Sequence, residues 1–387
     1  MTQHLLVAIS SHGFGHLSQV APVVNRLWQQ ASENQHANLA LRLRTTLAEP
    51  QIRTRVFADF ALDTGSDDFG MLMHDALRVN LTETLIRYAQ WHQDWSEHVD
   101  QLAEHLSKFK IHAVLADAPY LPLAAAHAIN IPAAGICSLN WADILEGCVQ
   151  FTPGALSEAG LSLATFDAII RQMRDAYQSA RVIIRPEPAI ETTDLTVQTI
   201  EPIVEPLPSS NRQQLLASVR QTMLESSGLD HRDYWLILTS MGGISMPLQT
   251  EYWPTEILGR PVAYIVDRRL AGTHAHCVSL NPETFSFQEV IASCDLVLTK
   301  PGYGMFVEAK AAGKPLLYLR RDHWPETPCL VRWAKQNLIA RELTPAVLAT
   351  GQFAAELRDL LSVPPPDRYA FEGARQAAEI VTQNLLG

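Results

Sequence analysis

The chain has 387 residues, 47% of them hydrophobic and 18% charged, with a formal net charge of −11. That length exceeds one ordinary core and suits two domains. The acidic balance argues against nucleic acid or an anionic membrane as the main partner, and five cysteines without a Cys-x-x-Cys pair argue against a disulfide framework or zinc knuckle.

In chain order, Leu5–Ile9 reads as a buried strand. Leu17, Val20, Ala21, Val24, Leu27 and Trp28 then recur at offsets that fit one face of a helix. A second long helix is expected over about 81–109, with Trp91, Trp95, Val99, Leu102 and Leu106 as its stripe. Ala113–Ala116 is the next strand, followed by a helix over 121–129, a short strand Pro132–Ile136 and, as the last strand of this half, Arg181–Arg185. Residues about 59–80 and 138–165 look irregular. The most apolar region, around 113–139, is broken by Pro119, Pro122, His127, Asn130 and Pro132, so no integral membrane segment is expected. The opening residues lack the pattern of a secretory leader, and with the cysteine usage this gives a cytoplasmic expectation.

Prolines 186, 188, 202, 206 and 208 interrupt the alternation over about 186–210, with a short strand near 196–200. The expected domains are 1–190 and 211–387, joined by a linker at 191–210. In the second, a helix over about 211–226 precedes strands at Tyr234–Thr239, Val262–Val266 and Cys277–Leu280. Then follow a helix Phe287–Ser293, a strand Asp295–Thr299, a helix Val307–Ala312 ended by Gly313 and Pro315, and a strand Leu316–Leu319. The closing segment, about 368–386, is helical and could pack back on the first domain. Strands alternating with helices imply α/β architecture with parallel sheets.

Three loops carry the chemistry. Ser11-His12-Gly13-Phe14-Gly15-His16-Leu17-Ser18 follows the first strand and delivers His16 to a helix mouth, where a histidine can act as a general base. Thr299-Lys300-Pro301-Gly302-Tyr303-Gly304-Met305 joins a strand to a helix whose N-terminus suits a diphosphate. Lys300 adds charge there, and Glu308, a turn further on, suits ribose hydroxyls; the plain alternative is a packing turn. Ser240-Met241-Gly242-Gly243 is either a third ligand loop or an ordinary turn. His274 with His276, and His98 with His105, lack metal-site spacing, and no Asp-x-Asp is present, so neither a metal nor a cofactor is expected.

Together these loops resemble the GT-B glycosyltransferases, in the style of the UDP-glycosyltransferases and the peptidoglycan N-acetylglucosaminyltransferases. Gly15-His16 matches the opening motif; Gly302, Glu308 and Ala312-Gly313-Lys314-Pro315 match the donor block; Ser240–Gly243 matches the interdomain loop. A looser likeness reaches the amino-terminal region of plant arabinokinases, through Gly-Phe-Gly-His and Lys-Pro-Gly-Tyr-Gly. The resemblance implies two Rossmann-like domains facing across a cleft, with the acceptor on the first and the UDP-sugar on the second. It implies an inverting, metal-independent transfer, with His16 as base, Asp117 orienting it, and amides at 302–305 holding the departing diphosphate. Read without it, Asp117 is equally a helix cap after a strand.

Gly15, Ser240, Gly242, Gly243, Phe287, Lys300, Gly302, Tyr303, Gly304, Met305, Glu308, Arg321 and Glu326 are the expected donor contacts. Met305 stands where the family often has Ser or Thr. Glu326 is followed by Thr327 where the plant enzymes have an acidic residue and Gln, one position out of step. Phe285 and Phe287 fall in the stretch that holds the uracil edge, or are core. Arg320 and Arg321 reach the cleft rim, to grip a phosphate or an acidic acceptor or to stay solvated. Asp63, Asp67 and Asp68 would discourage an anionic acceptor if they lined the cleft. The acceptor itself, a small molecule, glycan or lipid-linked compound, is not encoded legibly. A nucleotide-sugar hydrolase and a non-catalytic sugar-nucleotide-binding protein are the alternative readings.

Overall fold

Two parallel sheets of the same winding face one another. In the computed structural model, which describes residues 2–33, 38–192, 194–244 and 246–387, the first sheet holds β1 (Thr2–Ile9), β2 (Asn38–Arg44), β3 (Phe60–Asp63), β4 (Ala113–Asp117), β5 (Ala133–Ile136), β6 (Val182–Pro186) and β7 (Val197–Ile200). Their order is β3-β2-β1-β4-β5-β6-β7, all parallel. The second holds β8 (Trp235–Ser240), β9 (Glu256–Ile257), β10 (Arg260–Ile265), β11 (Cys277–Val278), β12 (Leu296–Thr299), β13 (Leu316–Leu319) and β14 (Ala340–Leu343). It runs β11-β10-β8-β12-β13-β14, with β9 antiparallel at the side of β10.

Each order reverses direction once, between β1 and β4 and between β8 and β12. Ligands of doubly wound sheets sit beyond the carboxyl ends of the strands at that reversal. The physical basis of the layering is plain in β1 and β12: Leu5–Ile9 and Leu296–Leu298 are apolar and at most 3% exposed, because helices cover both faces.

Several sequence expectations change. The helix over 81–109 is two, Leu81–Gln93 and Trp95–Lys108, broken at Asp94, and stacked pairs His92–Trp95 and Trp91–His98 bridge the break. Residues 138–165 are largely helical, as Trp141–Phe151, Ala155–Glu158 and the start of Leu163–Gln178. The signal was in the caps: Asn140 accepts from the Asp143 amide and Ser162 from the Thr165 amide. β2 passed unread although Leu39, Leu41 and Leu43 alternate along it. Arg181–Arg185 is not the last strand of its sheet, since β7 extends the first sheet beyond it.

The chain ends on the first lobe. Ala377, Ala378, Ile380 and Val381 of the helix Gly373–Val381, with Leu385 beyond it, join the core formed by β1 and the helix Phe14–Glu33. Gln3 and Arg181 donate to the carbonyls of Leu386 and Asn384. No helix among the described residues is long and apolar enough to cross a membrane.

Candidate active site

The first loop turns at Gly13, whose φ of +105° lies in the region that glycine alone enters freely. The helix Phe14–Glu33 starts at once, so His16 is its third residue and stands at the β1/β4 reversal. Register brings its partner: Ile9 lies opposite Asp117 at the end of β4. His16 Nδ1 is 3.1 Å from Asp117 Oδ1. A carboxylate only accepts, so Nδ1 donates and Nε2 keeps the lone pair.

Asp117 is fully buried, and the helix cap considered for it belongs to Tyr120 instead. The next residue, Ala118, has φ +69°, a strained conformation for a side chain with a Cβ, held by the Tyr177 hydroxyl on its carbonyl. Burial pushes the Asp117 carboxyl upward against the pull of His16. Burial also works to lower the His16 imidazole, but the charge and hydrogen bond of Asp117, with Asp68 and Glu326 behind them, outweigh it and leave His16 raised above 6.5. Cys137 Sγ lies 3.8 Å from His16 Nδ1. His16, Asp117 and Cys137 are the one group among the described residues whose atoms could converge on a metal, all within 4.8 Å of each other.

From the second lobe, the loops after β8 and β12 close on this point. Gly302 caps the helix Tyr303–Ala312, whose first amides have no partner within the helix. Gly304 is glycine for space, because a Cβ there would come 2.8 Å from Ser18 Oγ of the first lobe. Gly243 packs against Phe14 and Gly13, and the Thr299 hydroxyl donates to the Ser240 carbonyl, tying the two loops. Lys300 Nζ lies 3.8 to 3.9 Å from where a Cβ of Gly302 or Gly242 would stand, so it sits between the loops. Burial lowers its ammonium to about 7, with Arg321 adding repulsion. A cavity of about 390 Å³ opens beside them, lined by Ser240, Met241, Gly242, Phe285, Phe287 and Asp267. That volume suits a small ligand.

The remaining expected residues fall differently. Gly15 is exposed in the first turn of its helix. Tyr303 turns its ring into the core, where its hydroxyl accepts from the Ile203 amide, so only its backbone is left for a ligand. Met305 packs against the second lobe's core. Glu308 is 4% exposed, and its Oε1 takes a 2.7 Å bond from Arg55 of the first lobe. Arg55 also lies over the Phe287 ring at 5.4 Å. Glu326 bonds to the Ser138 hydroxyl and to Trp324 Nε1.

Arg321 is buried, whereas Arg320 pairs with Glu342 at the surface. Asp63 and Asp67 both pair with Arg44, which leaves Asp68 as the acid of that trio near His16. His274 and His276 stack loosely on one another in the second lobe, and His98 lies against Trp91.

Sequence reasoning missed a stack that crosses the lobes. Arg321 lies over Trp324 at 3.8 Å, Trp324 stacks on His12 at 5.9 Å, His12 meets the edge of Trp141 at 5.1 Å, and Trp141 leans on His16 at 5.7 Å. Trp324 comes from the second half of the sequence yet joins the first lobe's core. Asp68 bonds Trp141 Nε1, and burial raises its carboxyl to about 6.

The fold has solved counterparts. The chain covers 99% of its own length and 94% of Phytolacca americana UGT2, solved with UDP-2-fluoro-glucose and pterostilbene, at TM-score 0.57 and 13% identity. Against Medicago truncatula UGT71G1, solved with UDP-glucose, the figures are 98%, 94%, 0.56 and 11%. Against the spinosyn forosaminyltransferase SpnP they are 99%, 95%, 0.55 and 13%. The fold is GT-B. The reversal points of its two Rossmann-like lobes are the two sides of the cleft just described. No protein-family profile matches the sequence. The L-arabinokinase of Arabidopsis thaliana aligns at 23% identity over 403 positions; all of this chain is matched, but it spans about a third (35%) of that protein.

Proposed function

We propose that the protein is an inverting glycosyltransferase that moves a sugar from a UDP-sugar to an acceptor hydroxyl. The observation that carries this reading is the 3.1 Å bond between His16 Nδ1 and Asp117 Oδ1, set opposite the amides that open the helix Tyr303–Ala312. Nε2 takes the acceptor's proton as its oxygen bonds to the anomeric carbon from behind. The bond from that carbon to the diphosphate breaks on the other face, and its electron pair leaves with the UDP. Asp117 stabilises the imidazolium. The amides at 302–305, the helix dipole and Lys300 stabilise the charge on the diphosphate. The nucleoside takes the cavity beside Phe287. Glu308 meets the ribose once Arg55 has given way.

The neighbours named above, two of them solved with UDP-sugars, support the donor class; the pairing of His16 with Asp117 supports transfer over binding alone. The test is mass-spectrometric: the purified chain is incubated with a panel of nucleotide sugars, with and without cell extract as acceptor source. Nucleotide release that depends on extract, persists in EDTA, and disappears in His16→Ala while UDP binding survives, is the expected result. A fall of about 10²–10⁴-fold is the scale for losing a general base. Equal release without extract assigns a hydrolase instead, and loss of UDP binding in His16→Ala removes His16 from the role of base.

A further inference from the structure

Arg321 is 5% exposed and has no carboxylate partner among the described residues. Its one hydrogen bond there is a long one, 3.4 Å from Nε to the Leu77 carbonyl, and the flat face of its guanidinium rests on Trp324. A guanidinium offers five N–H donors in a fixed fork, and a buried charge without a counter-charge is costly. The carboxylates whose charge reaches it, Glu326 and then Asp75, are committed elsewhere: Glu326 Oε1 accepts from Ser138 and Oε2 from Trp324, and Asp75 pairs with Arg78. The fork therefore has N–H donors to spare, 3.8 Å over the indole that links it through His12 to His16.

Lys300 is the second cation in this space, lodged between the two glycine loops where a diphosphate would lie. His12 sits among Arg321, Lys300 and His16; burial first, and then those three charges, hold its imidazole well below 6.5. Burial likewise brings Arg321 down to about 10. Glu326 attracts both Lys300 and Arg321, but one carboxylate does not balance two buried cations. Two cations of different shape point to two anionic groups. The compact ammonium at the glycine loops suits phosphate oxygens, whereas the planar fork suits a carboxylate bound through two parallel N–H bonds.

Building on the nucleotide-sugar reading above, we propose that Arg321 binds a carboxylate carried by the donor's sugar, so that the preferred donors are nucleotide-linked uronic acids. The acids on the base's side do not oppose this. Asp63 and Asp67 are neutralised by Arg44, and Asp68 is tied to Trp141, beyond His12 from the fork.

The experiment is calorimetric titration of the full chain with UDP, UDP-glucose, UDP-glucuronic acid and UDP-galacturonic acid. The proteins are the wild type, Arg321→Gln and Arg321→Lys. The wild type should bind at least one uronic acid donor about 10–100-fold more tightly than UDP-glucose, the range expected for charge-assisted hydrogen bonds. Arg321→Gln should erase that preference with UDP affinity held within about 3-fold, and Arg321→Lys should keep part of it. The melting temperature of unliganded Arg321→Gln should not fall, because the change removes an unpaired buried charge; this also shows that the variant folds. Equal affinity of the wild type for neutral and acidic donors would overturn the proposal. So would a loss of UDP affinity in Arg321→Gln as large as the loss for the uronic donors, which would hand Arg321 to the diphosphate. Failure of UDP and every UDP-sugar to bind the wild type would bring down the nucleotide-sugar reading itself.

Discussion

Arg55 and Glu308 join the two lobes through an N–H···O bond of 2.7 Å, with side chains 14% and 5% exposed. The same carboxylate is the one that the GT-B resemblance assigns to a ribose. On the proposed nucleotide-sugar reading the pair occupies a position that the ribose needs, and it is a contact between the two lobes. Arg55→Ala should lower the stability of the unliganded protein, since it strands a buried carboxylate. It should also tighten UDP binding, because the ribose hydroxyls no longer compete with a cation. Thermal melts with and without UDP measure both. Weaker UDP binding in Arg55→Ala would show that Arg55 serves the nucleotide instead.

The His16–Asp117 pair sets a pH profile. In the proposed mechanism the neutral imidazole is the working form, and His16 is raised above 6.5. Activity should therefore rise with pH through a midpoint above 6.5 and not below it. Asp117→Asn removes the main upward pull, so the midpoint should move down while the rate falls roughly 100-fold or more. The linkage sign is the ordinary one for a raised histidine: the stability it contributes is complete below about 6.5 and is lost as pH climbs through the folded-state value. A midpoint that does not move in Asp117→Asn would sever the pair.

Asp68 gives a signature of the same sign at lower pH. Burial raises its carboxyl from 3.8 to about 6, over the opposition of Ser10, His16 and Trp141. Between those values the native state binds more protons than the unfolded chain, so stability falls as pH rises through that window. Asp68→Asn keeps an acceptor for Trp141 and removes the buried charge. It should stabilise the protein at pH 7.5 by roughly 1–3 kcal/mol and much less at pH 4, as read by urea unfolding at the two pH values. It should also lower the midpoint of the activity profile, since Asp68 is one of the charges holding His16 up.

Gly373 opens the closing helix, and a Cβ there would run into the backbone carbonyls of Glu201 and Pro202. Gly373→Ala should cost roughly 1–3 kcal/mol by lifting that helix from the first lobe. The loss would appear as a lower urea midpoint, with Arg181 and Gln3 losing their carbonyl partners. An unchanged midpoint would mean that the crossing chain yields locally.

Local pattern made much of this architecture legible. Leu5–Ile9, Ala113–Ala116 and Leu316–Leu319 are continuous apolar runs bounded by turn residues, and each is a buried parallel strand. Phe287–Ser293 has the expected bounds, and in the structure Ser286 and Glu289 form a capping box at its start. β2 and the helices within 138–165 carried local signals too, in alternation and caps, whereas other differences arose where the deciding force was not local. The break at Asp94 is bridged by stacking between side chains on either side of it. β7 is the short strand expected near 196–200, but its place in the first sheet, beside β6, is not written in its proline-rich surroundings.

By itself the sequence determined the two doubly wound lobes, the glycine loops and the histidine after the first strand, since periodicity, caps and positive-φ turns are written in neighbouring residues. Tertiary structure alone decided which charges meet. It put Arg55 on Glu308, laid Arg321 on Trp324 with no ion pair among the described residues, and set Trp324 of the second half against His12 of the first. Those pairings join residues up to about 300 positions apart. They depend on how two sheets pack face to face, which no short stretch of chain encodes.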